Sequence, residues 1–206
     1  MKEKHLVDPK KILKDTQDVF AVFNKFGVPA FLAYGAVLGA LRDNDFIPWD
    51  DDIDIAVTAP IDFKTRKAIG WALFDLGFKP QPIAFNVFGR LEPSEIGYNG
   101  DGETGIIVCE REFKFSIFFF KEEECPIHGK EMVCTPKLGG YKLICSPSKF
   151  YEKMDYVKIR GVKFPVPHPV KEYINYTYPG WNKPVKGSHA LQYQQLHPEY
   201  LNHEQQ

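Results

Sequence analysis

Apolar residues recur at helical spacing over residues 9–26: Ile12, Leu13, Thr16, Val19, Phe20, Phe23 and Phe26 share one face. Asp8 can cap this helix, Pro9 suits its first turn and Gly27 can end it. A short extended run, Ala30 to Tyr34, leads to Gly35, where a second and shorter helix opens and runs to about Arg42. Residues 43–51 read as a loop. Asp52 to Thr58 alternates polar with apolar side chains and predicts a strand. A longer helix follows from Ile61 to Leu76, with Ala68, Ile69, Ala72, Leu73 and Leu76 on one face and a stop at Gly77. Beyond residue 80 the pattern becomes short and β-like: Ile83 to Phe88, Gly105 to Cys109, Phe113 to Phe120, Tyr141 to Cys145 and Tyr156 to Val166. Turn-rich pieces separate these runs. A final helix spans Pro169 to Tyr176 and is stopped by Pro179-Gly180. Helices and strands mix without strict alternation, which predicts an α+β fold over residues 1–185 as one domain, then a polar tail over 186–206.

Composition narrows the function classes. Among 206 residues, 26 are Lys or Arg and 27 are Asp or Glu, a net charge of −1 that excludes the basic footprint of a nucleic-acid binder. Hydrophobic residues make up 44%, enough for a sizeable core. No apolar run is long enough to span a bilayer, and the charged start has no signal-like core after it, so a soluble cytoplasmic protein is the expectation. With that location, the glycosylation pattern Asn175-Tyr176-Thr177 reads as chance, and Cys109, Cys125, Cys134 and Cys145 read as free thiols. Cys125, His128, Cys134 and Cys145 could hold zinc, but there is no Cys-x-x-Cys pair, so structural thiols are the preferred reading.

The informative chemistry lies in Trp49-Asp50-Asp51-Asp52-Ile53-Asp54-Ile55. Four carboxylates in five positions repel one another. In a strand, Asp52 and Asp54 point to one face with Cα atoms about 6.6 Å apart, while Ile53 and Ile55 point to the core. Such a pair can converge on a divalent cation, and hard oxygen ligands favour Mg²⁺ or Mn²⁺. Upstream, a strand, a glycine turn and a helix N-terminus make a phosphate cradle at Gly35 and Ala36. Gly39 would let helix and strand approach, Arg42 could reach an anion, and Trp49 braces the acidic loop. Lys137, Lys142, Lys158 and Arg160 could steer an anionic donor.

The run Tyr34-Gly35-Ala36-Val37-Leu38-Gly39-Ala40-Leu41-Arg42, followed by Phe46-Ile47-Pro48-Trp49-Asp50-Asp51-Asp52-Ile53-Asp54, resembles the signature of the LicD/fukutin family. The second half is most similar to its fukutin branch: Phe115 to Phe120 with Glu122-Glu123-Glu124, then Val162 to Pro167, and Tyr178-Pro179-Gly180-Trp181. The resemblance implies a nucleotidyltransferase-like core of the DNA polymerase beta type, a small mixed sheet flanked by helices with a β-rich C-terminal half. It implies transfer of a phospho-alcohol, such as phosphocholine or ribitol phosphate, from a CDP-activated donor to a glycan hydroxyl. Asp52 and Asp54 would hold the metal and Asp50 would orient the loop or the metal. Gly35, Ala36, Arg42 and Trp49 would bind substrate. The chain departs from the family at Ser116, where a third Asp is usual. Glu112 shares strand parity with Ser116 but lies about 13 Å away along an extended strand. Two other readings use the same fold: a nucleotidyltransferase that leaves a nucleoside monophosphate on its acceptor, and a binding module without catalysis.

Overall fold

The computed structural model describes residues 7–58, 60–80, 105–125, 128–134 and 145–183. The expected strand Ile83 to Phe88, residues Lys137 and Lys142, and the tail from 184 onward lie outside the described residues.

Helix α1 (Pro9–Lys25) forms as its sequence dictates. Asp8 accepts a hydrogen bond from the Lys10 N–H at 2.9 Å, and Gly27 takes φ +67° just past the end. Its buried face includes Ile12, Val19, Phe20 and Phe23, and also Asp15, which no apolar pattern marks. Strand β1 (Phe31–Leu32) feeds α2 (Tyr34–Asp43). Strand β2 (Ile53–Val57) leads through a loop to α3 (Phe63–Asp75) and β3 (Lys79–Pro80). In α3 the buried positions are Arg66, Ile69, Gly70 and Leu73, whereas Leu76, expected on the apolar face, is 45% exposed just beyond the helix.

Strands β4 (Gly105–Glu110) and β5 (Lys114–Phe119) complete a mixed sheet in the order β1-β2-β5-β4-β3. β2 and β5 run parallel, and the other pairings are antiparallel. β5 is central, so Phe115 through Phe120 are all buried and the run reads as continuously apolar. The register sets Asp54 beside Ser116 and Ile53 beside Phe115.

The C-terminal half is β-rich, with two features that periodicity did not resolve. The run 156–166 is two strands, β9 (Met154–Ile159) and β10 (Val162–Pro167), with the turn at Arg160-Gly161. Between them and the main sheet in sequence lies a separate sheet of β6 (Lys121–Cys125), β7 (Lys130–Cys134) and β8 (Cys145–Ser146). The expectation of four free thiols is corrected here: Cys134 and Cys145 form a disulfide, leaving Cys109 and Cys125 as thiols. The cause is strand pairing, because β7 and β8 make Cys134 and Cys145 direct cross-strand partners. Helix α4 (Val170–Thr177) then packs against α2 and β10 and buries Tyr173 and Ile174. The fold is α+β. No helix among the described residues is long and apolar enough to cross a membrane.

Candidate active site

The acidic run sits where the parallel strands β2 and β5 begin, beside the start of α2. Ile53 and Ile55 are 2% and 0% exposed, and Asp54 between them is half-buried on the other face. That alternation is what the sequence predicts. Asp52 lies one residue before the strand. Its Oδ2 accepts a hydrogen bond from the Ser116 hydroxyl at 2.9 Å and lies 3.3 Å from Lys114 Nζ. Lys114 and Ser116 stand two apart on β5, so strand period places both at this mouth.

Asp50 approaches from the preceding loop. Its N–H donates to the Ile47 carbonyl at 3.1 Å, and its Oδ1 accepts from the Asp51 N–H at 3.1 Å. A Cβ added at Gly35 would lie 2.5 Å from Asp50 Oδ2. Gly35 is therefore the position where a carboxylate approaches the first turn of α2, a favourable end for negative charge. The helix starts without a side-chain cap, after a tight entry in which Tyr34 takes φ +45°. Tyr34 N–H donates to Tyr173 Oη at 3.2 Å, and Ala33 N–H donates to the Asp54 carbonyl at 3.0 Å. Ala36 is buried in the same turn.

Carboxylate oxygens of Asp50, Asp51 and Asp52 all lie within 4.8 Å of one another. Asp54 is the next carboxylate along the strand. Burial, then the charges of Asp52 and Asp50, hold its carboxyl well above the usual carboxylate range. Burial and the neighbouring Asp52 push Asp50 up to about 6. These shifts report negative charge concentrated in a partly dry site. All the converging donors are carboxylate oxygens, a set that suits Mg²⁺ or Mn²⁺.

Other expected site residues lie around this cluster. Arg42 is held by Asp43 through contacts of 2.7–3.0 Å, and its guanidinium lies 5.8 Å from the Trp49 ring centroid. Trp49 itself is 39% exposed. Gly39 admits the loop rather than a strand: a Cβ there would meet the Asp45 carbonyl oxygen at 2.7 Å and Ile47 N at 3.1 Å. Arg160 fixes the same loop, donating to Asp45 Oδ1 at 2.9 Å from Nε and to the Asn44 carbonyl from its backbone N–H. Glu112 pairs with Lys11 at 2.9 Å in the β4–β5 turn.

The structure adds residues that sequence reasoning did not assign to the site. Asp51 joins the carboxylate group, and Lys114 supplies the adjacent cation. Tyr173 and Tyr178, brought in by α4, feel the acidic cluster. Burial raises both phenols, with Asp54 adding to each and Asp50 and Asp52 adding to Tyr178. The strand parity of Lys114 with Ser116 was the available signal. For the tyrosines the resemblance of the closing segment around Tyr178 was the one signal, and it did not place them at the site, because α4 is distant in sequence.

Residues 27–77 match the family model described as LicD/FKTN/FKRP, nucleotidyltransferase domain. The matched segment runs from the end of α1 to the end of α3 and includes every residue of the acidic loop. Over these residues the chain is similar to the LicD/fukutin family. It is 29% identical over 166 residues to ribitol-5-phosphate transferase FKTN of Macaca fascicularis and 28% identical to that of Homo sapiens. These alignments cover 79% of this chain and 31% of each relative, so the chain spans about a third of their length. Among solved structures, the complex of ANT(2'')-Ia with adenylyl-2''-tobramycin aligns with a TM-score of 0.48 at 14% identity, covering 95% of this chain and 92% of that one. Lincomycin-bound lincosamide adenylyltransferase LnuA aligns at 0.46 and 11% identity, covering 89% and 94%.

Proposed function

We propose that this LicD/fukutin-type chain transfers a phospho-alcohol from a CDP-activated donor to a glycan hydroxyl, with Mg²⁺ or Mn²⁺ as cofactor. The observation that carries the reading is the convergence of Asp50, Asp51 and Asp52 at the mouth of β2 and β5, against the N-terminus of α2. The FKTN relatives, named as ribitol-5-phosphate transferases, support a phospho-alcohol as the transferred group.

Asp52 and Asp54 would hold the cation, with Asp50 and Asp51 adjoining. A bound divalent cation would neutralise the donor pyrophosphate and the charge that develops on transfer. The chain's own residues do the remaining work. Ser116 donates to Asp52 and fixes its carboxylate, and Lys114 limits the repulsion around it. The first turn of α2, at Gly35 and Ala36, offers backbone amides to donor phosphate. The acceptor hydroxyl oxygen forms a new bond to the phosphorus bearing the alcohol. The bond from that phosphorus to the bridging oxygen breaks, CMP leaves, and the hydroxyl proton passes to water.

Calorimetric titration with CDP-choline, CDP-ribitol, CDP-glycerol, CTP and ATP, with and without Mn²⁺, tests this. Metal-dependent binding of one CDP-alcohol is expected, and the Asp52→Asn/Asp54→Asn variant loses it. Intact binding and transfer in that variant would overturn the proposal. Ser116, standing where the family usually has Asp, favours one second reading, a binding module of the same fold. Donor binding without any transfer, with turnover appearing in Ser116→Asp, would select it.

A further inference from the structure

The small sheet β6-β7-β8 carries chemistry that the acidic site does not use. Its hairpin turn is tight: the Cys125 carbonyl accepts from the N–H groups of His128 at 3.2 Å and Gly129 at 2.8 Å, with Gly129 at φ +59°. This folds a Cys-x-x-His pair back on itself, and Cys125 Sγ lies 3.2 Å from His128 Nδ1. The register of β7 with β8 brings Cys134 opposite Cys145. Consequently the sulfurs of Cys125, Cys134 and Cys145 all lie within 4.8 Å of one another, and all three residues are at most 1% exposed. Three sulfurs from three strands meet at one buried point, and the half-buried His128 ring in the turn touches one of them.

Packing sets this sulfur cluster apart from the main core among the described residues. Along β7 the faces alternate: Val133 joins the main core, while Met132 and Cys134 turn away from it. The cluster on that other face is Cys125, Met132, Cys134 and Cys145. The disulfide employs two of the four donors and leaves the Cys125 thiol against an imidazole.

We propose that Cys125, His128, Cys134 and Cys145 form a structural zinc site in the thiol form of the protein. Three thiolates and one neutral imidazole complete a tetrahedral set with no open position, as a structural rather than catalytic site requires. Zinc and the Cys134–Cys145 disulfide exclude each other, since both thiolates are needed by the metal. A phosphine reductant interconverts them: phosphine and water become phosphine oxide, and the disulfide becomes two thiols. Binding then displaces the thiol protons.

The full-length chain, reduced with phosphine, is titrated with Co²⁺ and then Zn²⁺, with metal content measured by elemental analysis. About one thiolate-bound metal ion per chain is expected, counted as the difference from Cys125→Ser, with the visible spectrum of tetrahedral cobalt, thiolate charge-transfer absorption and a raised Tm on adding zinc. The thiolate-bound metal and its charge-transfer absorption are lost in Cys125→Ser and His128→Ala. Both persist in Cys109→Ser, whose thiol is buried in β4 with its pKa pushed up to about 12 by burial. Both also persist in Asp52→Asn/Asp54→Asn, which separates this site from the acidic one. His128→Cys retains the metal with an all-sulfur cobalt spectrum, a readout that holds even if Cys125→Ser fails to fold. Failure of the reduced wild-type chain to bind either metal would overturn the proposal. So would zinc binding unchanged in His128→Ala, or zinc bound while mass spectrometry still shows the disulfide.

Discussion

Two glycines in one helix show how a single missing Cβ can serve different ends. At Gly35 the atom in the way is the far end of the Asp50 side chain, 2.5 Å from an added Cβ, and a carboxylate can swing aside. At Gly39 the obstacles are main-chain atoms of the loop, Asp45 O at 2.7 Å and Ile47 N at 3.1 Å, which move only if the loop moves. Gly35→Ala is therefore expected to change stability by less than about 1 kcal/mol, helped by the better helix propensity of Ala. It should nevertheless weaken Mn²⁺-dependent binding of CDP-ribitol by displacing Asp50. Gly39→Ala is expected to cost about 1–3 kcal/mol in urea unfolding. The sequence marked both glycines as positions of close approach. What approaches them was not legible, because the loop 43–51 has no periodicity that would fix its path.

Elements are joined by a few polar contacts whose strength varies with pH. Asp155 on β9 accepts from His168 at 3.0 Å and from the Val170 N–H at 2.9 Å, tying the β9–β10 hairpin to the start of α4. The His168 hydrogen bond, then that of Val170, hold the Asp155 carboxyl below the usual carboxylate range. A lowered folded-state pKa contributes stability that is fully present above the unfolded value, about 3.9, and is lost as pH falls through the folded value. The Asp155 side chain is 35% exposed, so solvent screening limits the effect to about 0.5–1 kcal/mol. Asp155→Asn should show that deficit in unfolding at pH 7 and lose most of it in acid below the folded pKa. Strand and helix existence here followed from local pattern. The split of residues 156–166 into a hairpin did not, because Arg160-Gly161 is a two-residue turn inside an alternating run.

At the scale of the molecule, one partly buried ionic group ties the N-terminal helix to the sheet. Arg111, in the β4–β5 turn, donates to Asp15 at 2.6 Å, to Asp18 at 2.6 Å and to the Leu76 carbonyl at 3.0 Å. Its guanidinium also lies 4.5 Å from the Phe78 ring centroid. Asp15 additionally accepts from the Glu112 N–H at 3.0 Å and is 2% exposed. Removing the arginine strands a buried carboxylate, so Arg111→Ala is expected to cost about 3 kcal/mol in denaturant unfolding. The loss should fall mainly on the unfolding rate if α1 docks after the sheet forms, which stopped-flow kinetics would show.

The sequence by itself determined α1 and its caps, the alternation that buries Ile53 and Ile55, the density of carboxylates beside a glycine helix start, and the α+β class. All of these are set by neighbours within a few residues, where backbone period and side-chain type decide the outcome. Tertiary structure alone decided that Ser116 and Lys114 meet Asp52, that Arg42 turns to Asp43 and Trp49, and that α4 delivers Tyr173 and Tyr178 to the acidic cluster. It also decided that Cys134 faces Cys145. Each of these rests on strand register or helix docking across a long stretch of chain, and register follows from the packing of the whole core rather than from any local pattern.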